Sequence, residues 1–128
     1  MKNVNVWDQP TQGEVPALKG LFGKRVYRAW APPSKFLLIL KLEGGHIVSF
    51  EGLVTDIPNR MAIEVTMGDE RPGADWDAID RACPQTPYLK ELRGRRLTGL
   101  DGCIVEFDEY LGAKITPHGI EWVKRAED

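Results

Sequence analysis

Apolar positions in this chain fall into short runs, most with the period of two that a strand requires. Arg60 to Met67 is the clearest case. Met61, Ile63, Val65 and Met67 fall on one face and Arg60, Ala62, Glu64 and Thr66 on the other. This predicts a strand with one wet side. Phe36 to Leu42 is apolar on both faces except at Lys41, the pattern of a central strand covered on both sides. Lys24–Trp30, His46–Phe50, Arg95–Leu100, Cys103–Asp108, Ala113–Thr116 and Ile120–Lys124 complete the predicted strands. Helical spacing is confined to short pieces. Trp76, Ile79 and Cys83 share a face at i, i+3 and i+7 behind Asp75, a helix N-cap residue type, and Pro84 stops the run. Met67 to Ala74 reads as a polar loop.

Between these runs lies an internal repeat. Ala17–Tyr27 (ALKGLFGKRVY) aligns without gaps on Tyr88–Thr98 (YLKELRGRRLT). Leu18/Leu89, Lys19/Lys90, Leu21/Leu92, Gly23/Gly94 and Arg25/Arg96 are identical pairs. In each copy a short turn-like segment carries two leucines, a glycine ends it as a helix C-cap would, a basic pair follows and a strand begins. Downstream, Leu40–Glu43 resembles Val105–Asp108, and His46-Ile47 resembles Lys114-Ile115. Glu43-Gly-Gly45, Asp101-Gly102 and Pro117-His-Gly119 supply hairpin turns.

These elements predict an α+β chain: an antiparallel-rich sheet or partly open barrel of about seven short strands with two or three short helices, built from two similar half-domains. Residues 1–128 form one domain. Residues 1–16 are an irregular arm or edge strand, 17–66 the first half, 67–87 a loop and short helix, 88–124 the second half and 125–128 a tail.

Composition narrows the class. The chain has 128 residues, 42% of them hydrophobic, a length at which one core forms without disulfides or metals. No apolar run approaches the ~18 residues of a membrane span. The amino terminus lacks the apolar stretch of a secretory signal, so a cytoplasmic location is expected. Cys83 and Cys103 are too few and too isolated for a zinc site or a disulfide framework. The net charge of -2 conceals a strong asymmetry. Val15–Leu42 holds Lys19, Lys24, Arg25, Arg28, Lys35 and Lys41 with no acid. Met67–Pro84 and Gly99–Gly112 are acidic. Two fields of opposite sign would steer charged partners.

Candidate chemistry is sparse. Gly20–Arg25 lacks the spacing and the Ser/Thr of a phosphate-binding loop. Asp75, Asp77 and Asp80 lack the glycine and terminal Glu of a calcium loop, and helix capping accounts for them. Glu106, Asp108 and Glu109 read as outer-face charges, and His46 and His118 as turn residues with no nucleophile at a catalytic spacing. No catalytic residue, cofactor site or metal site is expected. The residues singled out for partner binding are Lys24, Arg25, Trp30, Arg93, Arg95 and Arg96. The basic pairs could contact phosphate, with Phe22, Tyr27 or Trp30 stacking on bases. Trp30 before two prolines would be a rigid aromatic anchor if exposed.

The leading expectation is a non-enzymatic protein-binding module, self-associating as a homo-oligomer through strand edges. A nucleic-acid binder using the basic pairs, and a small-molecule barrel with His46 or Tyr110 lining a pocket, are the alternatives. In size and layout the chain resembles small bacterial accessory proteins of mobile or defence-related loci, immunity proteins among them.

Overall fold

The computed structural model describes residues 7–13, 18–31, 37–54, 61–70, 73, 76–82, 87–108, 111–116 and 119–124. Among the described residues, nine antiparallel strands form two open sheets. The first contains β1 (Trp7–Gly13), β2 (Val26–Trp30), β3 (Leu37–Leu42), β4 (His46–Val54) and β5 (Met61–Glu70), in the spatial order β1-β5-β4-β3-β2. The second contains β6 (Leu97–Asp101), β7 (Ile104–Phe107), β8 (Leu111–Thr116) and β9 (Gly119–Lys124), in sequence order. Helices are short: α1 spans Trp76–Ala82 and α2 spans Pro87–Glu91, and a 3-10 turn at Lys19–Leu21 precedes β2. Neither sheet closes on itself, so the strands form open sheets and not a closed barrel.

Burial alternates along β3 although its residues are apolar on both faces. In β3, Leu38, Leu40 and Leu42 are buried and Leu37, Ile39 and Lys41 are half-buried. Val48 and Phe50 of β4 and Val65 of β5 join them, as do Leu97, Val105, Phe107, Leu111, Ala113 and Ile115 of the second sheet. Leu18, Leu89 and Leu92, from the segments preceding β2 and β6, belong to the same cluster. One apolar core therefore serves both sheets, and aromatic and branched side chains fill it. The other face of the first sheet carries a smaller cluster, Trp30 and Ile47 with Ile39 and Trp76 packed against them. β3 is thus covered on both sides, as its nearly unbroken apolar run requires.

The second sheet repeats the first strand for strand. The pairs Val26↔Leu42, Arg28↔Lys41, Ala29↔Leu40 and Trp30↔Ile39 recur as Leu97↔Phe107, Gly99↔Glu106, Leu100↔Val105 and Asp101↔Ile104, with the same bulge after the first pair. Ile39↔Ser49, Leu40↔Val48 and Lys41↔Ile47 recur as Ile104↔Lys114, Val105↔Ala113 and Glu106↔Gly112. Phe50↔Val65, Ser49↔Thr66 and Val48↔Met67 recur as Ile115↔Ile120, Lys114↔Glu121 and Ala113↔Trp122. The residue offset falls from 71 to 65 and then to 55 because the hairpins of the first half are longer. Leu40–Glu43 does correspond to Val105–Asp108. His46-Ile47 corresponds to Leu111-Gly112 rather than to Lys114-Ile115, which occupies the place of Ser49-Phe50.

Other differences have the same origin in pairing between distant segments. Met67–Glu70, expected in a loop, continues β5 because β4 and β1 hold its backbone on both sides. Trp7–Gly13, within the stretch expected as an irregular arm or an edge strand, is the edge strand β1, and Pro10 is tolerated because the strand lies at the sheet edge. Among the described residues no helix is long and apolar enough to cross a membrane.

Candidate interaction site at the seam between the sheets

The two copies of the Gly-basic motif meet each other. The Gly23 N–H donates to the Leu97 carbonyl at 2.7 Å and the Leu97 N–H to the Lys24 carbonyl at 3.0 Å. The mirror pair is Gly94 N–H to the Val26 carbonyl at 2.8 Å and Val26 N–H to the Arg95 carbonyl at 2.7 Å. A glycine at positive φ that donates to one opposite residue, while the carbonyl of the next residue accepts from that same residue, is the geometry of a glycine β-bulge. Gly23 has φ 91° and Gly94 has φ 84°, a region where a side chain is strained. The glycines therefore do more than end a turn: each hands a donor to the opposite half.

Between the bulges, Arg25 and Arg96 face each other as an isolated antiparallel bridge. The flanking hydrogen bonds run between their neighbours, so this is a non-hydrogen-bonded pair, with Cα atoms about 4.5 Å apart and both side chains leaving on one face. Both residues are exposed. Like charges directly opposite oppose pairing by roughly 0.2–1 kcal/mol. The nearest acids do not cancel them. Glu43 Oε1 accepts from the Arg25 main-chain N–H at 3.0 Å, and Asp108 Oδ1 from the Arg96 main-chain N–H at 3.0 Å. Among the described residues no carboxylate reaches either guanidinium. Arg96 Nη1 instead donates to the Gly23 carbonyl at 2.7 Å, which fixes its direction across the seam.

The other predicted contact residues divide. Arg95 is 17% exposed and already paired, with Glu91 at 3.1 Å and Asp108 at 3.5 Å. Arg93 is exposed and Lys24 half-buried beside the seam. Trp30 is only 1% exposed, so it is a core residue and no surface anchor. Its ring stacks on Trp76 with centroids 4.7 Å apart, because α1 covers that face of the sheet. Phe22 packs on the core, and Tyr27, 65% exposed, is the one stacking candidate that faces solvent.

The charge fields read from the sequence are interleaved in space. Lys41, from the basic stretch, meets Glu70 at 3.0 Å and lies 4.5 Å above the Trp76 ring. Trp76 Nε1 also donates to Glu70. Burial pushes the Glu70 carboxyl up, but the hydrogen bonds from Lys41 and Trp76, with the Lys41 charge, outweigh it, and the net shift is downward. His46 Nδ1 lies 3.2 Å from Asp69, its partner across the hairpin. Asp108 belongs to no outer strand face. It ends β7 with φ 51° and caps the seam. Cys103 is a half-buried free thiol. Among the described residues no cluster of His, Cys, Asp and Glu could hold a metal ion. Cys83, Asp75, Glu109, Tyr110, His118 and the prolines after Trp30 lie outside the described residues.

The opposition of Arg25 and Arg96 was not read from the sequence alone, although the aligned repeats contained the signal. Identical residues at equivalent positions meet at an axis when two copies associate through that segment. No protein-family model matches this chain, and no curated protein or solved structure is significantly similar to it.

Proposed function

We propose that this protein is a non-enzymatic interaction module that takes an acidic segment of a partner protein at the seam, between Arg25 and Arg96. The observation that carries this reading is the directly opposed, exposed arginine pair whose neighbouring acids are turned onto the main chain. Such a pair is unfavourable alone and becomes favourable when an anion lies between the two guanidiniums. The described carboxylates nearby support a binding rather than a catalytic role, since Glu43 and Asp108 cap backbone donors and Glu91 neutralises Arg95. Exposed Lys19 and Lys90, equivalent in the two copies, and Arg93 widen the basic surface.

The test is fluorescence anisotropy with a labelled oligoglutamate peptide and, in parallel, labelled single- and double-stranded DNA and RNA, each titrated with salt. The peptide should bind at low salt. Arg25→Ala/Arg96→Ala should weaken it about tenfold or more, since charged hydrogen bonds are worth roughly 1.5–3 kcal/mol each. Peptide binding unchanged in the double variant refutes the site. Tighter binding of nucleic acid, with a steep salt slope abolished by the same variant, replaces the acidic protein with a phosphate backbone as the partner.

A further inference from the structure

The Arg25–Arg96 pair has a counterpart of opposite sign on the same chain. In the ladder between β4 and β5, Glu51 lies directly opposite Glu64. Opposed like charges disfavour pairing whichever their sign. Glu64 is half-buried and engaged within its own chain, so the exposed Glu51 is the carboxylate offered outward. Among the described residues no cation pairs with Glu51.

The register fixes the face that carries Glu51. Its neighbour Phe50 is buried in the shared core, so Glu51 leaves on the opposite face of the first sheet. Leu53 follows on that face, and its cross-strand partner Ala62 is exposed beside it. α1 covers the same face only farther along, near Trp30 and Ile47. Tyr27 and Leu53, 65% and 39% exposed, are the two exposed large apolar side chains among the described residues. Tyr27 stands two residues beyond Arg25, and Leu53 two residues beyond Glu51. A charge and an apolar group therefore recur at one spacing on two patches of opposite sign.

One chain cannot join its own patches. Arg25 is tied to Glu43 just past the end of β3, whereas Glu51 pairs with Leu37 at its start. The strand Leu37–Leu42, 6 residues at about 3.3 Å each, holds the two patches roughly 20 Å apart. The complementary surface must come from another molecule.

We propose that the acidic segment taken at the seam belongs to a second copy of this chain, whose Glu51 enters between Arg25 and Arg96 with its Leu53 against Tyr27. This rests on the seam being an anion site and adds which molecule supplies the anion. Each contact joins two different patches, so copies that keep one intact patch each can still pair.

Sedimentation velocity of the full-length protein reads the assembly. Wild type should self-associate at low salt and come apart as salt screens the charges. Glu51→Gln, and separately Arg25→Gln/Arg96→Gln, should each weaken self-association about tenfold or more, the loss of at least one charge-assisted hydrogen bond. The deciding measurement mixes the two variants at a concentration where each alone is monomeric. Glu51→Gln keeps its seam and the arginine variant keeps its Glu51, so the mixture should form a complex of twice the chain mass and none larger. A mixture that stays monomeric overturns the proposal. Self-association unchanged by either variant overturns it equally, as does a wild type that is monomeric up to its solubility limit. Oligoglutamate binding to that monomeric wild type, lost in the arginine variant, would leave the seam standing as an anion site and remove only the second copy as its partner. Failure of the peptide as well would remove both.

Discussion

Replacing Gly23 by alanine tests whether the seam is held by left-handed glycines. A Cβ built on Gly23 or on Gly94 meets nothing within 4 Å, so steric contact contributes nothing to the cost of the change. What remains is the conformation. Gly23 holds φ 91° and Gly94 φ 84°, where an L side chain costs about 1–2 kcal/mol. Stiffening the unfolded chain returns about 0.4–1 kcal/mol of this. The net loss is about 1 kcal/mol at each position. With a urea dependence of roughly 1–3 kcal/mol per molar, the midpoint should fall by roughly 0.3–1 M. Tryptophan fluorescence during urea titration reports it. Gly20 is the internal control. It too has open space around an added Cβ but lacks a positive φ, so Gly20→Ala should be neutral or stabilising. Asparagine, which tolerates left-handed backbone, should cost less than alanine at both bulges. Equal stability of Gly20→Ala and Gly23→Ala would refute this account of the seam. So would a Gly94→Ala cost far from that of Gly23→Ala, because the two bulges make equivalent hydrogen bonds.

The face covered by α1 yields two further tests. Trp76→Ala removes a stacked ring, the contact beneath Lys41 and a hydrogen bond to a carboxylate, for a loss of about 3 kcal/mol. It should also abolish the near-ultraviolet dichroism of the Trp30–Trp76 pair, and a signal that survives would place the rings apart. Glu70 has a folded pKa below its ordinary 4.5, so its contribution to stability is complete above that value and is lost as pH falls through the lowered one. Wild type should therefore exceed Glu70→Gln in stability at neutral pH and approach it in acid. A difference that grows on acidification would reverse the assigned sign.

Much of this fold was legible before any coordinates. Period-two alternation of apolar and polar residues over Met61–Met67 and the apolar run Phe36–Leu40 announced their strands, because a pleated backbone sends alternate side chains to opposite faces whatever surrounds it. The repeated glycine and basic pair announced two related units, because a positive-φ bulge tolerates few other residues. Beyond that motif the repeat faded, since the strands require only apolar character and the hairpins differ in length. What only the tertiary structure decided is which segments meet. Strand pairing is long-range, so the sequence could not show that β1 fills the edge of β5. Nor could it show that α1 would bury Trp30, or that Lys41 would find Glu70 and cancel part of an apparent basic field. Arg25 and Arg96 are 71 residues apart along the chain and directly opposite in space. A repeat supplies equivalent residues, and only the association of its two copies places them on a common axis.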